Sequence, residues 1–260
     1  MAVALVTGAS RGVGKGIAIS LGAAGWTVWV TARSSVATGS TSHLPGNIEE
    51  TAEAVDKAGG VGVPWRCDHT RDAEVSALAA AVEERHGHLD LLVNNTWAGY
   101  ERLNAGAWDE WNAPFFEQPA EMFDSMLMSG VRSHYLTSAR CARLLMAAPR
   151  ALVVTVSFKA VGPVSYVISK TADDGLARAL SGRFPSGEVS SVGVHPGLVT
   201  TEGILQFGDY LDFSNAQSPE GVGRVVAALA ADPDHRRFDG QVLDIDELAN
   251  EYGVETGPRP

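Results

Sequence analysis

Two side chains in this sequence are spaced to work together. Tyr166 and Lys170 stand four residues apart in Tyr166-Val167-Ile168-Ser169-Lys170, so on a helix both project from one face. A phenol titrates at about 10 and is a poor acid or base at neutral pH. An ammonium beside it stabilises the phenolate and draws it towards a working range. Such a pair also arises by accident, so its position matters: it follows the apolar run 151–156, directly after which stands Ser157.

A second constellation opens the chain. Thr7-Gly8-Ala9-Ser10-Arg11-Gly12-Val13-Gly14 follows one apolar run and starts a helical pattern. Gly8 can take backbone angles closed to other residues, while Gly12 and Gly14 omit Cβ atoms where a pyrophosphate and a neighbouring strand come close. The helix N-terminus then offers free N–H groups to the phosphates. This predicts a dinucleotide site, against the alternative of a glycine-rich turn without a ligand. Such sites usually carry a carboxylate about 20 residues on, for the adenosine ribose. None exists between 16 and 48, and the second apolar run ends Thr31-Ala32-Arg33-Ser34-Ser35. A guanidinium there suits a 2′-phosphate, with Arg11 as a second charge. NADP(H) is favoured over NAD(H); a merely solvated Arg33 would leave the missing acid unexplained.

The elements that must position these groups alternate. Apolar runs at 2–6, 27–31, 61–67, 89–93, 151–156, 189–194 and 241–245 read as strands, and 13–24, 48–58, 71–86, 120–147, 165–183 and 219–231 as helices. The alternation is that of βαβ units, and the nearly continuous apolar strands belong to a sheet covered on both faces. The prediction is an α/β fold, a single Rossmann-type doubly wound parallel β-sheet flanked by helices on both faces, forming one domain over residues 1–260. No linker or internal repeat divides it. Three long connections remain: 34–47, 96–119 and 200–218, the last a substrate loop. The middle one carries Trp97, Tyr100, Trp108, Trp111, Phe115 and Phe116, too aromatic for disorder. It reads as a pocket wall or as a small satellite core.

Composition excludes other classes. With 45% hydrophobic and 20% charged residues the chain is globular, and a net charge of −11 argues against nucleic acid or anionic membrane as partner. No apolar run approaches the roughly 20 residues of a membrane span, and no export signal is evident. Cys67 and Cys141 have no metal-site spacing and read as reduced packing residues. A cytoplasmic protein without a metal is expected.

Together these residues resemble the short-chain dehydrogenase/reductase family across nearly the whole chain. The matching segments are Thr7 to Gly14, Asp68, Leu92-Val93-Asn94-Asn95, Tyr166 with Lys170, and Pro196-Gly197-Leu198-Val199-Thr200-Thr201. The sequence looks most like the branch called dehydrogenase/reductase member 1, through Asn94-Asn95-Thr96-Trp97-Ala98-Gly99, Phe115-Phe116-Glu117-Gln118-Pro119-Ala120, Gly130-Val131-Arg132-Ser133-His134-Tyr135, and Phe238-Asp239-Gly240-Gln241-Val242 with Leu248 to Gly253. The resemblance implies a carbonyl–alcohol oxidoreductase in which catalytic Tyr166 protonates the substrate oxygen, Lys170 holds the nicotinamide ribose and tunes the phenol, and Ser157 orients the carbonyl. It implies a cofactor site of Gly8, Ser10, Arg11, Gly12, Val13, Gly14, Arg33, Asp68, Asn94, Tyr166, Lys170, Pro196, Gly197, Val199 and Thr201. It further implies a homodimer or homotetramer, through the helices holding Tyr135 and Tyr166.

Two departures stand out. Ser157 lies nine residues before Tyr166, fewer than usual in the family, so Phe158 competes for its place and Ser165 is the fallback. Gly130 stands where the family often has an asparagine whose main-chain carbonyl holds a relay water; a glycine can serve through its carbonyl or simply allow close packing. His195 reads as a packed strand-end residue, His134 and Tyr135 as interface packing, Met122, Met126, Met128 and Met146 as core or subunit contact, and Asp232, Asp234, Arg236 and Arg237 as a solvated turn. The expected reaction is NADP(H)-dependent conversion of a moderately apolar ketone or aldehyde. The alternative is a catalytically silent NADP(H)-binding scaffold; a sugar-nucleotide epimerase lacks chain length for its substrate domain.

Overall fold

The computed structural model describes residues 1–99, 101–185, 188–207, 209 and 211–257. Tyr100 of the aromatic insert lies outside them. Seven strands, β1 (Val3–Thr7), β2 (Thr27–Ala32), β3 (Val61–Arg66), β4 (Leu91–Asn94), β5 (Ala151–Val156), β6 (Val189–His195) and β7 (Val242–Asp244), form one parallel sheet in the order β3-β2-β1-β4-β5-β6-β7. Every pairing is parallel, for example Leu5 with Trp29 and with Leu92. Strands β1, β2, β4 and β5 are buried throughout. Pro64, which lacks an N–H, falls on edge strand β3, where only one side needs hydrogen bonds.

Helices cover both faces. One face carries α1 (Gly12–Ala23), α2 (Ile48–Ala58), α9 (Pro219–Ala231) and α10 (Ile245–Tyr252), packing Ile17, Leu21, Val55, Val222 and Leu248 on the sheet. The other carries α3 (Asp72–His86) and α7 (Ser133–Ala147), packing Leu78, Val82, Cys141 and Leu145. Caps mark the boundaries. Asn47 accepts the Glu50 amide and donates to its carboxylate, and Ser218 accepts the Gly221 amide ahead of Pro219. Helix α1 differs: its N-cap residue, Arg11, offers no side-chain acceptor to the first turn, so those N–H groups look to an anion from outside the helix.

The fold departs from the sequence reading in two places. Segment 120–147 is not one continuous α-helix: α6 (Ala120–Met126) and α7 are joined by a π-helical stretch, Leu127–Arg132. There the Ser129 hydroxyl donates to the Ser125 carbonyl, and Ser133 donates to the carbonyls of Ser129 and Gly130, so side chains compete with the ladder. The last strand is short, and α10 begins at its end on an Asp244 cap. The 96–119 connection is ordered, with α4 (Glu101–Asn104), α5 (Trp108–Asn112) and a 3-10 turn, Phe115–Glu117. Helix α8 (Val164–Leu180) carries the tyrosine–lysine pair.

Candidate active site

The strand order reverses between β1 and β4, so the loops at their carboxyl ends diverge and leave a crevice. A cavity of about 320 Å³ lies there, within the range of small-molecule sites. Gly8, Ser10, Arg11, Gly12, Val13, Arg33, Asp68, Ser157, Tyr166, Pro196, Gly197, Val199 and Thr201 line it. Gly14, Asn94 and Lys170 stand behind its wall.

Asn94 and Asn95 are placed differently at the end of β4. The end of β4 sends its fully buried side chain to Ser138 on α7, 2.9 Å away, and the next residue, Asn95, lines the cavity. Asn95 Nδ2 donates to the carbonyls of Thr7 (2.9 Å) and Gly8 (3.2 Å), tying β4 to the glycine loop. Gly14 sits against that amide, where a Cβ would come within 2.4 Å of it. Gly8 has φ +64, as the turn after β1 requires.

At the rim, charge is engaged by the chain itself. Gly12 N–H donates to Glu202 Oε2 at 2.9 Å, so a carboxylate from the 200–218 loop caps α1. The Arg33 guanidinium pairs with Glu101 of α4, both side chains being about one-third exposed. Burial pushes the Glu101 carboxyl up against the opposing pull of Arg33 and Arg11. Arg11 is a loop staple rather than a free second charge: it donates to the carbonyls of Pro45 and Gly46 at 2.9 Å and to the Ser34 and Ser40 hydroxyls at 3.1 Å. Burial would raise the Asp68 carboxyl, but the Thr70 hydroxyl and amide, with Arg33 and Arg71, hold it below its usual range.

At the floor the groups are buried. Tyr166 is 4% exposed and packs with Met122, Met126 and Phe158. Its ring meets Trp97 edge-on, at 5.5 Å and 89°, and Trp111 at 5.6 Å. The 96–119 insert is thus both wall and satellite core. Trp108 meets Phe207 of the 200–218 loop at 4.4 Å, while Phe115 and Phe116 meet edge-on, exposed. The Lys170 ammonium lies 4.6 Å from the Trp97 ring centroid and 3.5 Å from Asp173 Oδ2. Burial pulls the ammonium down, opposed by Asp173 and Asp174. Ser157 is buried and donates to the Lys170 carbonyl at 3.2 Å. Ser165, the fallback, is buried off the cavity, without a hydrogen bond.

Gly130 is the floor's other half. A Cβ there would stand 2.8 Å from the Trp97 ring, so glycine makes room for the indole, whose Nε1 donates to Ser169. Its carbonyl accepts from Ser133 Oγ. His134 is not an interface residue but an internal one, hydrogen-bonded to Asp173 Oδ1 and to the Thr96 carbonyl, each at 2.9 Å. His195 is partly buried and pairs with Asp174 at 3.0 Å. Cys67 and Cys141 are unpaired and buried, their thiols pushed up to about 12 by burial. Among the described residues no metal-ligating cluster occurs, and no helix is long and apolar enough to cross a membrane.

A glycine-loop crevice with a buried tyrosine–lysine pair at its floor defines a class. The sequence matches the short chain dehydrogenase family over residues 2–207, and the chain belongs to that family of oxidoreductases, which use a nicotinamide cofactor. Within it, the chain is similar to dehydrogenase/reductase SDR family member 1 of Mus musculus, 38% identical over 97% of this chain and 82% of the relative. The Homo sapiens protein of the same name is 36% identical with the same coverage. A solved short chain dehydrogenase from Mycobacterium thermoresistibile, 23% identical, superposes with TM-score 0.81 over 97% of this chain and 88% of its own, a likeness of fold alone.

Proposed function

We propose that this chain is an NADP(H)-dependent oxidoreductase acting on a moderately apolar ketone or aldehyde, or on the corresponding alcohol. One observation carries the reading: Tyr166, backed by the Lys170 ammonium, lines the same cavity as the glycine loop and Arg33. The residues fit the cofactor, since the α1 N-terminus already holds an anionic group, the Glu202 carboxylate, at the Gly12 N–H, and Arg33 ends β2 where an acid for the ribose would otherwise stand. When bound, the nicotinamide supplies or accepts the hydride. Tyr166 gives its phenolic proton to the substrate oxygen as charge develops there, Lys170 stabilises the phenolate, and Ser157 orients the carbonyl. Trp97 and Trp111 exclude water from the phenol and offer an apolar surface to the substrate. A homodimer or homotetramer through α7 and α8 belongs to the same reading, supported by exposed Met128, Tyr135 and Ile168, as does a cytoplasmic location, supported by the two unpaired cysteines.

The test is NADPH consumption with a panel of ketones and aldehydes. Activity should fall about 10²- to 10⁴-fold in Tyr166→Phe, with NADPH affinity held within a few-fold. The silent scaffold is the second reading, favoured by the hydroxyl of Ser157 and the carbonyl of Gly130 being engaged internally. It predicts tight NADPH binding with no turnover on any carbonyl.

A further inference from the structure

Behind the phenol lies a charge cluster that the tyrosine–lysine reading does not use. Asp173, one turn after Lys170 on α8, is fully buried, and His134 on α7 is 1% exposed. Asp173 is shared: Oδ2 faces the Lys170 ammonium at 3.5 Å, and Oδ1 faces His134 Nδ1 at 2.9 Å. The other imidazole nitrogen, Nε2, faces the Thr96 carbonyl at 2.9 Å. A carbonyl only accepts, so Nε2 carries hydrogen. An ionised carboxylate also only accepts, so Nδ1 must carry hydrogen as well.

The surroundings support that ionisation. Burial would raise the Asp173 carboxyl, but His134 and Lys170 outweigh it and hold it below its usual range. The other groups facing the cluster are His69, which hydrogen-bonds Thr31 and Thr137, and Asp174, which is paired with His195. His69 stays neutral, pushed down to about 3 by burial and then by His134. A lone carboxylate would cancel the lysine's charge; an imidazolium on its far side restores one net positive charge behind Tyr166.

We propose that Asp173 and His134 are positioning residues for Lys170, in a buried ammonium–carboxylate–imidazolium row behind the phenol: Asp173 keeps Lys170 an ammonium, and His134 holds Asp173 in place and restores the net positive charge. This rests on the oxidoreductase reading for its purpose but not for its existence. It assigns the support of Lys170 to side chains of α7 and α8, beside a Gly130 whose carbonyl is already engaged by Ser133.

Two measurements test it. In long-range proton–nitrogen spectra of the ¹⁵N-labelled wild-type chain at pH 7.5, His134, assigned by its loss in His134→Gln, should carry hydrogen on both ring nitrogens; in Asp173→Asn it should carry one. A wild-type His134 with bare Nδ1 overturns the proposal whether or not any carbonyl is turned over. In the pH profile of kcat/KM for NADPH-dependent reduction, the basic limb should move down by a unit or more in Asp173→Asn, because Lys170 loses its counter-charge. It should move up in His134→Gln, because the carboxylate then faces Lys170 alone. Unmoved profiles in both variants, with only thermal stability lowered, reduce the pair to a structural tie. Wild type that turns over no carbonyl yet shows the doubly protonated His134 overturns the function and leaves the row standing.

Discussion

Two cations border the same crevice, and each faces a carboxylate, but their surroundings differ. Arg33 at the rim meets Glu101 with both side chains about one-third exposed; Lys170 at the floor meets Asp173 with 8% and 0% exposed. At the rim water stands ready to replace either partner, so the pair adds little stability and its carboxylate can yield to a competing anion. At the floor nothing can replace Asp173, and loss of one partner leaves a buried charge uncompensated. The rim is built to exchange partners and the floor to keep them.

The largest expected effect breaks this contrast directly. Asp173→Ala should cost about 3–5 kcal/mol in urea unfolding, whereas Glu101→Ala should cost at most about 1 kcal/mol. Equal losses would erase the distinction. Next, Arg33→Ala should weaken NADPH by roughly 10- to 100-fold in a fluorescence titration, the loss of charge-assisted hydrogen bonds to a phosphate, and leave NADH unchanged. Loss of both alike would make Arg33 a structural residue.

The interior also predicts a pH response. His69 has its folded value depressed from 6.5 to about 3, so the unfolded chain binds the proton first and stability falls as pH drops through that window. From pH 6.5 to 5 the loss should be about 2 kcal/mol, at 1.36 kcal/mol per unit. His69→Gln should flatten that slope in urea unfolding followed across pH. The smallest effect returns to the rim. Glu101→Gln frees Arg33 and should tighten NADPH only a few-fold without changing NADH, while Glu202→Gln, which uncaps α1, should tighten both.

Much of this was legible in the chain before folding. The glycine loop could be read because its function needs consecutive residues in one turn, and Tyr166 with Lys170 because helical geometry alone puts them on one face. Arg33 followed from a contiguous stretch without acids. The break in 120–147 was hidden, since the apolar period runs through it and the disruption comes from Ser129, Ser133 and the Trp97 ring. Asn94 and Asn95 could not be told apart in the chain, because strand alternation near a terminus turns on a single residue; in the fold it is Asn95 that lines the cavity. Asp173 carried a local signal, three residues from Lys170, but nothing local tied it to His134.

Order along the chain therefore determined the strands, the crevice and the poles of the site, all of which depend on neighbours in sequence and on burial of apolar runs. Tertiary structure alone decided which distant groups meet the carboxylates of the site and how deeply each is buried. Those pairings join residues as far apart as Gly12 and Glu202, or His134 and Asp173. Their strength depends on the water left around them, which is set only when the layers close.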